Sequence, residues 1–513
     1  MLDFFLTMPE LLKLLRETEF DDLNQVIERL MLSFEKEIAP IAVEIMQNLC
    51  LTFMQLVHTG ENGFSEETHE RGDNEDAFEY RSVVATSVLD NMESMLQIAE
   101  EHEGLIHDLE PIVAQQIQTI FERELSMFYE EALSLLFSLT SAKISPLMWQ
   151  LFDQLFIVFQ KDSGDCFSEM MPCLHNFITV DRPSFISDAK HVETIATMCS
   201  QILQTEESDE TVQMHAAKLL EVLLLDYRGQ INQYAPKFIE FALTRLTRPI
   251  VSSELRVMCI QVVVAGLLYA PSDVLPVMME HHWPSTSVPV LTEFLKLWLQ
   301  DVDVFLGLHD RRLCVLGLCL LLSLPAGQRP PAVEALYKDY MPTLLTLFSG
   351  LKRAYAQKAQ NQADNEEDDE DLEDKALGSD EDDVDEDGAS YLEMLEAADE
   401  SSDADDDDED GDEETMLEAF ETELDKTDCD MDEYVTFYRV MTELERSDPV
   451  WYGQIIGNLT NEQQSELKEV VSTALKCIQQ KESKMIEQAG GYVFQSTIPS
   501  SFDFGANPGT QAQ

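Results

Sequence analysis

Long apolar runs at helical spacing alternate with short polar turns from the start of the chain to about residue 355, and this pattern constrains the fold most. In SPLMWQLFDQLFIVFQ, Ser145 is placed to cap a helix and Pro146 suits its first position. The apolar residues that follow share one face of that helix: Leu147, Leu151, Phe152, Leu155, Val158 and Phe159. Because no convincing strand pattern interrupts the series, the sequence predicts an all-α fold.

The runs come in pairs, such as HVETIATMCSQILQ with ETVQMHAAKLLEVLLLDY, and the pairs recur at roughly 40 residues. This spacing matches HEAT or armadillo repeats. We therefore predict a HEAT-repeat superhelical solenoid of antiparallel helix pairs over residues 1–360. Many runs are apolar around much of the helix, as expected of helices that neighbours cover on several sides. The alternative is an irregular all-helical enzyme domain.

The composition changes abruptly after residue 360. From Asp364 to Glu414 the chain has 30 Asp or Glu and a single Lys, so these 51 residues carry −29 of the formal charge of −66. A stretch so charged and so poor in apolar side chains cannot form a core, and residues 361–415 are predicted to be a long disordered acidic loop. Closing helices of the solenoid are expected over 416–490, where Thr460 and Gln463 stand at capping-box spacing, and an extended tail over 491–513.

The acidity is not confined to that stretch, because the remaining 462 residues carry −37. A field of this sign repels phosphate backbones and anionic lipid and attracts partners rich in Lys and Arg. Direct binding of nucleic acid is therefore not expected. The longest apolar runs that we single out, such as LCVLGLCLLLSLPAG, are shorter than the roughly 20 residues that span a bilayer, so no membrane insertion is predicted.

The sequence offers little chemistry. It contains no nucleophile elbow, phosphate-binding loop or dinucleotide fingerprint. Nine cysteines without a CxxC pair predict reduced thiols rather than a disulfide framework or a zinc site. His102 and His107 are five residues apart and do not share a helix face, and His175 is expected to be a hydrogen-bonded structural residue. Calcium-loop-like stretches from Asp383 and Asp406 lack the glutamate required at position twelve. No enzyme, metal site or cofactor is predicted.

Three stretches near the C-terminus, DEYVTFYRVMTELERSDPVWYGQIIGNLTNEQQ, ESKMIEQAGGYVF and IPSSFDFGANP, resemble the C-terminal end of nuclear import receptors of the importin-beta superfamily. The resemblance is strongest to the importin seven and importin eight subfamily, whose acidic loop corresponds to GSDEDDVDEDG. It is specific over roughly Gly378 to Pro508 and architectural before that. Members of the subfamily are considerably longer, so this chain is expected to correspond to a C-terminal half, without the N-terminal arch that holds the main Ran-binding surface.

The resemblance implies a karyopherin that shuttles between cytoplasm and nucleus with basic cargo such as ribosomal proteins and histones. It also implies contacts with FG nucleoporins and cargo release by the Ran GTPase bound to GTP. An acidic HEAT-repeat scaffold or chaperone for histones or ribosomal proteins, without transport activity, is the alternative function.

The acidic loop is the predicted cargo-binding site. Its carboxylates would act together, because single exposed ion pairs contribute only about 0–1 kcal/mol. The residues singled out are Asp368, Asp369, Asp382, Asp383, Asp405, Asp406, Asp407, Asp408, Glu409 and Asp410. The alternative is a solvated spacer that only keeps the protein soluble.

Two further sites are predicted. Ser379 is followed by three acidic residues, which favours phosphorylation by an acidophilic kinase, and phosphate would add roughly −1.5 to −2 charges. Phe502, Phe504 and Gly505 have the FxFG form of nucleoporin repeats, with both rings on one side of an extended strand. This predicts docking onto a second karyopherin such as importin beta. The alternatives are an unmodified serine and rings that pack back onto this chain's last helices.

Overall fold

The computed structural model describes residues 2–59, 72–100, 102, 104–162, 164–205, 208–284, 286–373, 417–426, 429 and 431–488. Within these ranges the secondary structure is helical, with one isolated antiparallel bridge between His282 and Pro289 and no β-strand. The chain divides into two units, Met1–Met431 and Asp432–Gln513.

Helices make up most of the described residues of the first unit. In chain order they are α1 (Leu2–Thr18), α2 (Asp22–Ser33), α3 (Glu35–Ile38), α4 (Ala42–Thr59), α5 (Gly72–Glu100), α6 (Leu105–Glu122), α7 (Tyr129–Thr140), α8 (Pro146–Lys161), α9 (Phe167–Thr179), α10 (Arg182–Ser187), α11 (Ala189–Gln204), α12 (Glu210–Asp226), α13 (Ala235–Leu246), α14 (Ser253–Tyr269), α15 (Pro271–Glu280), α16 (Val290–Gln300), α17 (Leu308–Ser323), α18 (Pro331–Ala335) and α19 (Tyr340–Glu373).

The longer helices of this unit stack in two rows. The first row, in which each helix contacts the next, is α1, α4, α6, α8, α11, α13, α15 and α16. The second row is built in the same way from α5, α7, α9, α12, α14, α17 and α19. Helices that follow each other in sequence pair across the rows, as α4 does with α5 and α11 with α12. Stacked antiparallel pairs are the architecture of an α-solenoid, so the predicted helix-pair repeat fold is confirmed.

Helix α8 shows how the sequence specifies these elements. The hydroxyl of Ser145 accepts hydrogen bonds from the N–H groups of Leu147 and Met148, at 3.2 and 3.3 Å, and Pro146 occupies the first position. These groups are among the four donors that a helix N-terminus leaves unsatisfied. The buried stripe is as predicted, except that Met148 is buried and Leu147 only partly so.

Two helices of the second row, α12 and α14, are buried on nearly every side. All residues of α12 from Gln213 to Asp226 are buried except His215, which is partly buried, and α14 is buried throughout from Val257 to Leu267. Neighbours within the row and the partner helix across the rows cover three sides of such a helix. Helix α12 is also covered by residues 417–426, a non-helical stretch later in the chain.

The acidic region is described only at its edges. Helix α19 continues to Glu373, beyond residue 360, where the acidic loop was predicted to begin. Asp368 and Asp369 are therefore on this helix. Ala, Gln, Glu and Lys, which favour helix, are frequent after Arg353 and allow the helix to continue where the apolar pattern stops. The predicted loop residues from 374 to 415, and residue 416 of the predicted closing helices, lie outside the described residues.

The second unit contains α20 (Glu433–Ser447), α21 (Pro449–Ile456) and α22 (Asn461–Gln488), and α20 contacts both of the others. The predicted capping box is confirmed. The Thr460 N–H donates to Gln463 Oε1 at 3.1 Å, and the Gln463 N–H donates to Thr460 Oγ1 at 3.2 Å. The predicted tail, from residue 491, lies outside the described residues.

One helical stretch in the described part of the chain, Glu35–His58, is long and apolar enough to cross a membrane by length and composition alone. The sequence analysis did not single it out. Most of it is α4, which packs against α1, α5 and α6. A core helix of a helical stack passes the same test, so this stretch is weak support for a membrane span.

Candidate functional site

A short segment, residues 417–426 (LEAFETELDK), lies against the second row of helices, and we call it the docked segment. It follows the acidic region and forms turns rather than helix, although closing helices were predicted from residue 416. Its partners are on α9, α10, α12 and α17, between 109 and 246 residues earlier in the chain. We call the surface that these helices present to it the groove.

Apolar side chains fix the two ends of the docked segment. Leu417 is 5% exposed and Leu424 is fully buried. Between them, the ring of Phe420 meets the rings of His175 and His215 edge to face, with centroids 5.5 and 6.4 Å apart. Edge-to-face contact of this kind adds to the free energy gained from burial alone.

The backbone of the segment is held as well. His175 Nε2 donates to the carbonyl oxygen of Glu421 at 2.8 Å, which confirms the structural role predicted for this histidine. Burial lowers the pKa of His175 and of His215, so both rings are neutral near pH 7.

Arg182 and Asp226 together bind Glu423 of the segment. Arg182 Nη2 lies 2.7 Å from Asp226 Oδ2, and Arg182 Nη1 pairs with the Glu423 carboxylate. The other oxygen of Asp226 accepts the backbone N–H of Glu423 at 2.7 Å. Burial raises the pKa of Asp226 to about 6, although Arg182 acts to lower it. The groove therefore recognises both the charge and the backbone of Glu423.

His309 is at the centre of the groove and is 4% exposed. Its Nε2 lies 3.0 Å from Glu221 Oε1, and its Nδ1 lies 2.7 Å from Asp425 Oδ1. Ionised carboxylates only accept hydrogen bonds, so both ring nitrogens donate and the ring is an imidazolium. Burial and the charge of Lys218 lower the pKa of His309, but the two carboxylates outweigh them and raise it to about 10. Lys218 Nζ itself lies 2.9 Å from Glu221 Oε2.

Glu418 caps the N-terminus of α17, although it lies 109 residues after His309 in the sequence. That helix follows Gly307, which has no side chain with which to cap it, and the N–H of His309 donates to Glu418 Oε1 at 3.3 Å. A Cβ atom on Gly307 would stand only 1.8 Å from this oxygen, so glycine is what allows the carboxylate to approach. The helix dipole favours an anion here. Burial, and secondly the charge of Asp310, raise the pKa of Glu418 to about 7.

A local turn holds the segment in the shape that fits. Asp425 Oδ2 accepts both the N–H and the O–H of Thr422, at 2.8 and 2.9 Å. Thr422 Oγ1 in turn accepts the N–H of Leu424 at 3.1 Å. The turn directs Leu424 into the groove and leaves the second oxygen of Asp425 for His309. Asp425 therefore joins the local turn to the distant helix.

The arrangement is that of a peptide ligand in a receptor groove. Beyond the docked segment, Arg312 Nη2 donates to the carbonyl oxygen of Met431 at 3.4 Å, and Arg228 Nη1 lies 3.0 Å from its sulfur. In the part of the chain that the structure describes, no group of three or more His, Cys, Asp or Glu side chains is placed to hold a metal ion. The chemistry of the groove is ionic recognition.

Most residues predicted from sequence to be functional lie outside the described residues. They are Ser379, Asp382, Asp383, Asp405, Asp406, Asp407, Asp408, Glu409, Asp410, Phe502, Phe504 and Gly505. Asp368 and Asp369 lie on α19, which is not one of the four helices that form the groove. The docked segment was not predicted from sequence, and its one local signal is a set of three apolar residues, Leu417, Phe420 and Leu424, within a strongly acidic run.

Comparison with known proteins agrees with this architecture. A family model described as "Importin-11-like, TPR repeats" matches residues 79–450. Importin-8 of Homo sapiens is 36% identical over 514 residues, covering 98% of this chain and 47% of that protein. Importin-8 of Danio rerio is 38% identical over 481 residues, covering 91% and 45%. An Arabidopsis thaliana protein, "Importin beta-like SAD2 homolog", is 27% identical over 339 residues, covering 64% and 31%.

Stacked helix pairs with a non-helical segment bound along one row place this protein in the α-solenoid class of helical repeat proteins. The match over residues 79–450 shows that the chain belongs to the importin family that the model describes. The resemblance found in the C-terminal stretches and the prediction that the chain is not an enzyme are thereby confirmed. The chain spans about half the length of the Importin-8 proteins it matches.

Proposed function

We propose that this chain acts in nuclear import as a karyopherin that binds basic protein cargo, such as ribosomal proteins and histones, and shuttles between cytoplasm and nucleus. Membership of the importin family and the names of its relatives support a transport receptor. The formal charge of −66 supports cargo rich in Lys and Arg.

One observation supports a specific place for the cargo. The docked segment begins at Leu417, directly after the acidic stretch that ends at Glu414. The acidic stretch, with its carboxylates from Asp405 to Asp410, precedes the docked segment in sequence, and we propose that the basic cargo binds beside the second row.

The test is to neutralise the acidic stretch without shortening it. In the variant, every Asp and Glu from 380 to 414 becomes Asn or Gln, and binding to a core histone or a basic ribosomal protein is measured from low to high salt. We expect at least a tenfold loss of affinity at low salt and a shrinking difference as salt screens the charges. If the variant and the parent chain bind the basic protein equally well at low salt, the acidic stretch is only a spacer.

The alternative function is a scaffold or chaperone for the same basic proteins without transport. The two are separated by an import assay with labelled cargo in permeabilised cells. Import that depends on the added chain and responds to Ran bound to GTP would support the receptor. Cargo kept soluble but not accumulated in nuclei would support the chaperone.

The remaining partners belong to the same proposal. Phe502, Phe504 and Gly505 would dock onto a second karyopherin such as importin beta, FG nucleoporins would bind the solenoid, and phosphate on Ser379 would add negative charge. Replacing both phenylalanines by alanine should abolish capture of the second karyopherin and leave the melting temperature unchanged. A lower melting temperature with capture intact would place the rings on this chain instead.

A further inference from the structure

Cationic side chains are scarce in this protein, yet several of them gather at one place. The chain has 33 Lys and Arg against 99 Asp and Glu. Arg182, Lys218 and protonated His309 face the docked segment, and Arg228 and Arg312 continue the line to Met431. Four of the Lys and Arg side chains and one imidazolium therefore lie along the docked segment and its continuation to Met431.

The groove is matched to several features of an acidic peptide at once. It pairs Arg182 with one carboxylate and His309 with another, and it offers the N-terminus of α17 to a third. It buries one leucine at each end, Leu417 and Leu424. It also binds backbone, through His175 and Asp226. Charge, apolar contacts and backbone together make a recognition site for an extended chain.

We propose that this groove is a binding site for acidic linear peptides of a partner protein, and that residues 417–426 are a built-in competitor that occupies it. The partner peptide would carry two leucine-like anchors and three carboxylates, two between the anchors and one directly after the second, as the docked segment does with Glu418, Glu423 and Asp425. This activity is separate from binding basic cargo, and its charge preference is the opposite.

The contacts that hold the docked segment suit a competitor. Most are ion pairs and hydrogen bonds, which a peptide with carboxylates at the same spacing can also make, and the deep apolar contacts are those of Leu417 and Leu424. A ligand on the same chain acts at an effective concentration on the order of 1 mM. A peptide in solution should therefore bind weakly until the docked segment is disabled.

Nucleic acid is a poorer fit for the same cations. Asp226, Glu221 and Asp310 lie among them in the groove wall, and each is buried. Asp226 accepts an N–H group of the peptide, Glu221 neutralises Lys218 and His309, and Asp310 accepts a hydrogen bond from Gln261. A phosphate backbone would bring further negative charge to them and supply no N–H donor, whereas a peptide backbone supplies one at each residue.

The experiment uses the full chain and a fluorescein-labelled peptide with the sequence MLEAFETELDKT, residues 416–427. Binding is followed by fluorescence anisotropy to the parent chain and to the variant Leu424→Asp, which disables the docked segment. We expect the variant to bind the peptide at least tenfold more tightly than the parent does. Adding Arg182→Met to Leu424→Asp should weaken peptide binding at least tenfold relative to Leu424→Asp alone.

Two control peptides test specificity: a scrambled peptide of the same composition, and one with lysine at the positions of Glu418, Glu423 and Asp425. Neither should bind. If circular dichroism shows that Leu424→Asp does not fold, the isosteric pair Glu423→Gln and Asp425→Asn replaces it under the same criteria.

Three results would overturn the proposal. The first is equal, weak binding of the peptide by the parent and by the folded variant. The second is equal binding of the scrambled peptide. The third is a concentration-dependent dimer of the parent, seen by light scattering and lost in Leu424→Asp, because the groove would then exchange segments between two copies of this chain.

Discussion

The packing around α4 and the groove around the docked segment both bury side chains, but α4 buries apolar rings and the groove buries charged groups. At α4, the ring of Phe53 is fully buried and meets Phe128 edge to face with centroids 5.1 Å apart. In the groove, His309 is just as buried but lies between Glu221 and Asp425. Apolar contacts are non-directional and tolerate small shifts, whereas buried charges require each partner in place. The difference predicts that loss of a buried ring lowers the stability of the whole stack, whereas loss of one buried charge releases the docked segment as a unit.

The largest effect is expected in the apolar stack. Phe53→Ala should lower the free energy of unfolding by about 3–5 kcal/mol, because it removes a fully buried ring and leaves a cavity. The matched control is Leu51→Ala on the same helix, where the side chain is 57% exposed and the change should stay within about 0.5 kcal/mol. Urea denaturation followed by circular dichroism measures both. Equal effects of the two substitutions would contradict the packing of α4.

The groove should respond locally to the loss of one charge. His309→Ala leaves Glu221 and Asp425 facing each other, and removing one member of a buried charged set costs about 3–5 kcal/mol. We expect the docked segment to detach while most of the stack keeps its stability. Limited proteolysis between residues 417 and 426 should become rapid. The control is His281→Ala, an exposed histidine, which should leave proteolysis unchanged.

Docking should weaken as the pH rises. His309 has its pKa raised from 6.5 to about 10, so its contribution is complete below pH 6.5 and is lost as the pH rises through 10. Glu418 has its pKa raised from 4.5 to about 7, so the docked state favours its protonated form and loses that advantage between pH 4.5 and 7.

The groups facing these two residues are Lys218 and Glu221 on α12, Asp310 on α17 and Asp425 on the segment. The pKa of Asp425 is well below its usual 3.8, mainly because of His309 acting against burial, so its contribution is lost only in strong acid. Proteolysis of the docked segment should therefore be slowest near pH 5 and fastest near pH 10. A rate that falls as the pH rises from 5 to 10, after correction for the protease's own pH profile, would contradict the assignment.

The smallest effect is expected at Gly307. Gly307→Ala would place a Cβ against the Glu418 carboxylate, so the cap on α17 should be lost at a cost of about 1 kcal/mol. Gly327→Ala is the control, because no atom lies within 4 Å of the added Cβ. Hydrogen exchange at the first amides of α17 should increase in the first variant only. If both variants exchange alike, Glu418 does not cap this helix.

Contacts between residues that are close in the sequence could be predicted, whereas contacts between residues far apart in the sequence could not. The cap at Ser145 and the capping box of Thr460 and Gln463 were readable because the interacting groups are three residues apart or fewer. The helix stripes were readable for the same reason. The contact of Glu423 with Arg182 joins residues 241 positions apart, and no local pattern in LEAFETELDK indicates it. The acidity of the surrounding stretch also concealed three carboxylates that have specific partners.

Amide hydrogen exchange of residues 417–426, in the full chain and in Arg182→Met, tests the central claim most directly. We expect the amides of Thr422, Glu423 and Leu424, which donate to Asp425, Asp226 and Thr422, to be protected in the parent chain. In Arg182→Met that protection should fall at least tenfold, while the amides of α14 exchange as slowly as before. Exchange of the three amides at the unprotected rate in the parent chain would show that the segment does not occupy the groove.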